Sequence, residues 1–249
     1  MTSDDELARD LAVAAGERLL AIRSEPVGDA AGLRAAGDRQ SHEFLAAELA
    51  RQRPGDAVLS EEGQDDPVRL SARRVWIVDP LDGTREFGEP GRTDWAVHVA
   101  LWADGELTAG AVALPAQGHV LSTAEPIEQP EPVSGPLRLL VSRSRPPQFV
   151  QDLAERLGAV LVPMGSAGAK AAAVITGEAD AYVHSGGQYE WDSAAPVAVA
   201  RSAGLHCSRI DGSPLAYNRA SPALPDILIC QAEIAPLLLE AIRADSLAR

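Results

Sequence analysis

The sequence predicts an α+β arrangement followed by an α/β one, in one large domain or two closely packed halves. Three observations lead there. The chain opens on helical periodicity, and antiparallel-type strands occupy Trp95 to Thr123. From Leu137 onward, strand and helix patterns alternate. Hydrophobic residues make up 46% of the 249 and recur at regular spacing, which argues for a folded core and against disorder.

Ser3 with Glu6 three residues on reads as a capping box. It opens a helix whose Leu7, Leu11, Ala15, Leu19 and Ile22 form one stripe. A Gly/Ala-rich loop is expected to about Gly37, then a second helix with Phe44, Leu45 and Leu49 inward. Ala57-Val58-Leu59 and Val75-Trp76-Ile77-Val78 read as strands running into Ser60-Glu61-Glu62 and Asp79. Strands Trp95–Trp102, Leu107–Leu114 and His119–Thr123 follow, separated by turn residues. The Pro/Glu-rich stretch Glu125–Pro136 is the best internal boundary, giving halves 1–130 and 131–249. Beyond it come strands near 137–142, 160–162, 181–183 and 227–230. Helices are expected near 147–157, 167–176 and 192–203, and at the end. No internal repeat is visible.

A formal charge of −14 without a basic patch excludes nucleic acid polymers as partners, because a phosphate backbone would be repelled. An anionic ligand would then need a divalent cation to attract it. No apolar run reaches the roughly 18–20 residues that span a bilayer. The acidic start is the opposite of a secretory signal, and Cys207 and Cys230 are too few for a disulfide framework. A soluble cytoplasmic enzyme is expected.

Glu61 and Glu62 follow one predicted strand, Asp79 and Asp82 another. Carboxylates on loops at strand ends can converge, and hard oxygen donors suit Mg²⁺ better than Zn²⁺. Asp79 and Asp82, three apart across a proline, can turn both carboxylates and the Leu81 carbonyl to one cation. Gly83 allows close backbone approach, and Thr84-Arg85-Glu86-Phe87 begins a helical turn whose N–H groups suit an anion. Each piece alone also has an ordinary reading: Asp-Gly as a turn, an aspartate as an N-cap, a glutamate pair as solvated charge.

Asp79-Pro80-Leu81-Asp82-Gly83-Thr84, with Ser60-Glu61-Glu62 before it and Trp191-Asp192 after it, resembles the inositol monophosphatase-like superfamily of Mg²⁺-dependent, Li⁺-sensitive phosphatases. Gly165-Ser166 with Lys170 and Pro214-Leu215-Ala216-Tyr217-Asn218 extend the resemblance over nearly the whole chain. It implies a layered αβαβα sandwich, with most metal ligands in the first half and Asp192 completing the site from the second. Glu61, Asp79, the Leu81 carbonyl, Asp82 and Asp192 would ligate two or three Mg²⁺, with Glu62 behind them and a ligand role for it also open. Glu61 and Thr84 would also serve catalysis, Thr84 orienting the attacking water with a first-half aspartate. The matching position is Asp38, expected just before the second helix. There the sequence departs from the family: Leu33-Arg34-Ala35-Ala36-Gly37 lacks the usual lysine and the Thr before the Asp, and an N-cap role for Asp38 is also open. A homodimer is implied by family habit alone.

Arg85-Glu86-Phe87 after the motif, Glu190 before Trp191-Asp192, Ser60, and Leu140-Val141-Ser142-Arg143-Ser144 look like the 3′(2′),5′-bisphosphate nucleotidase subgroup. The implied reaction converts 3′-phosphoadenosine 5′-phosphate to AMP and phosphate, removing a by-product of sulfate assimilation. Expected substrate contacts are Asp82, Gly83, Thr84, Arg85, Ser142, Arg143, Lys170, Tyr189 and Asp192, with Tyr189 a candidate stacking partner for adenine. Inositol monophosphate and fructose 1,6-bisphosphate are rival substrates, and a silent binding protein is the rival from another class. The histidines lack metal-ligand spacing and are assigned no chemistry.

Overall fold

The computed structural model describes residues 2–24, 29–131, 133–144 and 146–247. Helix α1 (Asp4–Ser24) opens as its capping box requires: the Ser3 N–H donates to Glu6 at 2.9 Å and the Glu6 N–H to Ser3 Oγ at 3.2 Å. Its predicted stripe is buried.

Helix α2 differs from expectation. It spans Ala30–Gln52 and is capped by Asp29, whose carboxylate accepts the Gly32 N–H at 2.7 Å. The Gly/Ala-rich stretch expected as a loop is therefore helix, and Asp38 lies inside it rather than capping it. Gly37 explains the misreading: a Cβ there would lie 2.8 Å from Phe87 Cε1 and 3.0 Å from Leu81 Cδ2. Its cost to helix propensity, about 1 kcal/mol, is offset by a close approach to the segment that follows Asp79.

The first sheet comprises β1 (Ala57–Ser60), β2 (Arg74–Asp82), β3 (Ala96–Ala103), β4 (Glu106–Leu114) and β5 (His119–Ser122), in that spatial order. β1 pairs parallel to β2; the other pairs are antiparallel. The second sheet is built from β6 (Arg138–Ser142), β7 (Val160–Met164), β8 (Ala181–Tyr189), β9 (His206–Ser208) and β10 (Ala223–Cys230), in the order β7-β6-β8-β10-β9. It is mixed: β6 runs parallel to β7 and β8, while β10 is antiparallel to β8 and β9. β9 was not foreseen, and β8 and β10 are longer than expected. Gly186 and Gly187 at positive φ in β8, and a register shift across Pro225 in β10, hide the strand period there.

Five layers result. α1 and α2 cover one face of the first sheet. α5 (Ala167–Ile175) and α6 (Glu190–Ser202) fill the space between the sheets, and α4 (Gln148–Leu157) and α7 (Ala235–Leu247) cover the far face of the second. β2 supplies two cores at once, Trp76 and Val78 toward α1 and α2, Val75 and Ile77 toward α5 and α6. The middle layer is alanine-rich because it is narrow: a Cβ on Gly110 would lie 2.6 Å from Ala198 Cβ. The layering brings the ends of β1 and β2 to the N-termini of α5 and α6.

Candidate metal centre and adjoining cleft

The end of β2 is irregular. Its register against β3 shifts between Asp79 and Asp82, across Pro80, which has no N–H to give to the ladder. Ser41 of α2 donates to the Pro80 carbonyl at 2.7 Å, and the Leu81 N–H donates to Asp79 Oδ1 at 3.0 Å. Gly83 at φ +83° turns the chain into the single helical turn Thr84–Phe87. Asp82 crosses to the second half. Its Oδ1 accepts the Ala167 N–H at 3.1 Å; its Oδ2 accepts the Gly168 N–H at 2.6 Å and the Ser166 hydroxyl. The carboxylate thus satisfies the free N–H groups that begin α5.

Asp192 is the third residue of α6 and closes a capping box, its Oδ2 accepting the Tyr189 N–H at 2.6 Å. Asp79, Asp82 and Asp192 each offer one oxygen, and the three oxygens lie within 4.8 Å of one another. Glu61 stands at the solvent-accessible rim. Packing on its inner side and the charge of Asp192 push its carboxyl up to about 7. Burial, then Asp82, raise Asp192 to about 6; burial, with Glu61, Asp82 and Asp192, holds Asp79 well above its ordinary range. Asp82 goes the other way. Burial opposes its charge, but His98, Ser166 and Lys170 outweigh that and depress it.

A cleft of about 430 Å³ adjoins the cluster, lined by Gly83, Thr84, Arg85, Ser142, Arg143, Ser166 and Lys170 among others. Thr84 Oγ1 lies 3.2 Å from Asp38 Oδ1 and 3.0 Å from the Leu81 carbonyl oxygen. Burial and the charge of Glu62 raise Asp38 to about 6. Arg143 donates to Glu86 at 2.7 Å and to Glu89 at 3.0 Å.

Residues 3–246 match the model of the inositol monophosphatase family. The chain belongs to that family. It is 53% identical, over 97% of its length and 94% of the relative's, to a 3′-phosphoadenosine 5′-phosphate phosphatase of Mycobacterium leprae. It is 32% identical, over 74% of its length and 78% of the relative's, to the 3′(2′),5′-bisphosphate nucleotidase CysQ of Escherichia coli. Among solved structures, CysQ from Bacteroides thetaiotaomicron superposes with a TM-score of 0.81 at 28% identity, covering 93% of this chain and 98% of that one.

Within this inositol monophosphatase-family fold, several residues that the sequence singled out also have partners in the fold. Lys170 is 5% exposed, and its ammonium donates to the Gly165 carbonyl at 3.0 Å and the Ser166 carbonyl at 2.6 Å. It holds the turn whose Ser166 has φ +45°. Arg85 is exposed and pairs with Glu89 at 3.2 Å. Tyr189 is exposed and stacks on Trp191, centroids 4.8 Å apart. Glu190 is buried and accepts the Asn218 and Arg219 N–H groups at 2.7 and 2.8 Å, so it secures the late loop. The sequence reading missed His98, which is fully buried with Nε2 3.2 Å from Asp82 Oδ2 and Nδ1 3.0 Å from the Trp191 carbonyl oxygen. No local signal marks it: it occupies an ordinary strand position on the face toward α5 and α6.

The lone pairs of the cluster suit a divalent cation. Asp79 Oδ2 is buried and accepts no hydrogen bond, and a buried acceptor without a partner is costly. Asp82 Oδ1 accepts one bond and keeps a second lone pair. All the donors are hard oxygens, the set that Mg²⁺ or Ca²⁺ prefers.

A pH dependence follows for the metal-free protein. Folded carboxyls at about 7 (Glu61) and about 6 (Asp192) lie above their ordinary values of 4.5 and 3.8. Their contribution is fully present below those ordinary values and is lost as pH rises toward 7, because the folded state binds more protons in that window. The gap in melting temperature between Mg²⁺ and EDTA is therefore expected to widen by several degrees from pH 5 to pH 7.5. A constant gap would contradict the shifts.

Proposed function

We propose that the protein is a Mg²⁺-dependent phosphomonoesterase that hydrolyses 3′-phosphoadenosine 5′-phosphate to AMP and phosphate. The observation that carries this reading is the convergence of Asp79, Asp82 and Asp192 oxygens beside Thr84, at the edge of a cleft that also holds Arg85 and Arg143. The names of the relatives support the substrate. The same reading has it work in the cytoplasm as a homodimer.

Glu61, Asp79, Asp82, Asp192 and the Leu81 carbonyl would hold two or three Mg²⁺. When bound, the cations supply charge neutralisation for the phosphoryl oxygens and acidify water. Thr84 has one hydroxyl proton and two acceptors within reach, Asp38 Oδ1 and the Leu81 carbonyl. Where Leu81 would hold a cation through its carbonyl, the Thr84 hydroxyl would donate its hydrogen bond to Asp38. The Thr84 oxygen then accepts from the attacking water and aims it at phosphorus. As the water gives its proton to the Thr84 oxygen, the Thr84 hydroxyl proton passes to Asp38, held at about 6, so one proton leaves the water and one arrives at Asp38. Thr84 is thus a positioner, and no covalent intermediate forms.

The second phosphate needs a fixed cation. Glu86 and Glu89 grip Arg143 through Nε and Nη2, and none of those bonds uses Nη1. Arg143 is thereby oriented, with that nitrogen left for phosphate. The exposed Tyr189, stacked on Trp191 next to Asp192, offers a face for adenine.

The test is kcat/KM on 3′-phosphoadenosine 5′-phosphate, inositol 1-phosphate and fructose 1,6-bisphosphate in Mg²⁺. The nucleotide is expected to lead; a preference for inositol phosphate would overturn the assignment, and binding without phosphate release would favour a silent protein. Arg143→Gln keeps a donor for Glu86 but removes the charge. It is expected to raise KM for the bisphosphate about 10–100-fold, the worth of a charged hydrogen bond, while moving KM for inositol phosphate less than about threefold.

A further inference from the structure

One side chain that is not itself acidic reaches from Asp82 to the segment that carries Asp192. His98 projects from β3 toward the middle layer, fully buried. Its Nδ1 must donate to the Trp191 carbonyl oxygen 3.0 Å away, because a carbonyl only accepts. Its Nε2 lies 3.2 Å from Asp82 Oδ2. One ring therefore spans from a carboxylate of the first half to the peptide group directly before Asp192 in the second. The fit is tight. A Cβ on Gly168 would lie 2.1 Å from His98 Nε2, so the helix that donates to Asp82 carries no side chain at the point where the ring passes.

We propose that His98 is a positioning residue for the metal centre, setting the separation of Asp82 and Asp192 to suit a divalent cation. The proposal rests on reading the cluster as a metal centre. Asp82 and Asp192 belong to segments far apart in the chain, and like charges brought together tend to spread. The ring opposes that spreading by occupying the gap between the two segments: Nε2 lies against the Asp82 carboxylate and Nδ1 holds the first turn of α6. The ring is fully buried, so its effect passes through the ligands, as with groups that orient metal ligands elsewhere.

The two ring nitrogens can be tested separately. The amide of Asn at position 98 falls near Nδ1 and can keep the bond to Trp191; the longer Gln places its amide near Nε2 and can keep the contact with Asp82. His98→Ala keeps neither. The primary readout is the Mg²⁺ concentration giving half of the full thermal stabilisation, measured without substrate. His98→Ala is expected to raise it about 10–100-fold, the usual loss on removing such a partner, and His98→Asn and His98→Gln, which each keep one end, by about three- to tenfold. At saturating Mg²⁺, KM for the nucleotide should stay within about twofold in all variants that fold. Should the Asn and Ala variants fail to fold, Gly168→Ala, which crowds Nε2 and leaves the histidine in place, is expected to raise the half-saturating Mg²⁺ about tenfold.

Equal Mg²⁺ dependence in wild type and variants would overturn the positioning role while leaving the metal centre standing. Loss in the Ala variant with none in either the Asn or the Gln variant would also overturn it, since only general packing would then be at stake. A wild-type protein with no Mg²⁺ response would remove the metal reading, and this proposal with it.

Discussion

Asp79→Asn is expected to lower kcat/KM by about a thousandfold or more, equivalent to about 4 kcal/mol of transition-state stabilisation, and to abolish stabilisation by Mg²⁺. The same substitution should leave the metal-free protein at least as stable as wild type at pH 8. Asp79 is 1% exposed, one of its oxygens has no partner, and Glu61, Asp82 and Asp192 all repel its charge. An amide removes the charge yet keeps an oxygen for the Leu81 N–H. Opposite signs in Mg²⁺ and EDTA separate a metal ligand from a structural acid. A variant that melts several degrees lower in EDTA would mean that the carboxylate serves the fold instead.

Thr84→Ala is expected to cut kcat about 100- to 1000-fold, within the range for losing a positioned proton-transfer partner, while the half-saturating Mg²⁺ moves less than about threefold. Thr84→Ser should recover most of the rate, since only the hydroxyl is used. Asp38→Asn should fall in the same range, and the Thr84→Ala/Asp38→Asn pair little further, because the two act as one unit. Strictly additive losses would show that Asp38 and Thr84 work apart. Normal kcat in Thr84→Ala would remove the threonine from the reaction.

The contrast between Asp79 and Asp38 shows how far the sequence could be read. Asp79, Asp82 and Asp192 were legible because each stands beside residues of distinctive type: a proline, an Asp-Gly pair, a tryptophan. Asp38 was legible as a candidate but not in its setting. Gly32 and Gly37 suggest a loop, and only the approach of Phe87 and Leu81 makes a glycine suitable inside that helix. Lys170 shows the limit for charge. A lone lysine in an alanine run could as well be exposed, and its burial under two carbonyls and over the Tyr182 ring depends on the second sheet.

What the sequence determined by itself is local in origin: the period of α1 and of the meander β3–β5, the alternation after Leu137, and a set of hard oxygen donors at element ends. Those features follow from side-chain type and spacing, which neighbouring residues decide. The tertiary structure alone decided which donors meet, and what holds them. Asp82 is fixed by N–H groups 85 and 86 positions away, and His98 reaches a carbonyl 93 positions away. Such partners are chosen by how two sheets pack on a thin alanine layer, and no window of sequence contains that packing. The segment from Asp79 to Thr84 was therefore recognisable as a candidate site in the sequence, but its charge balance belongs to the fold.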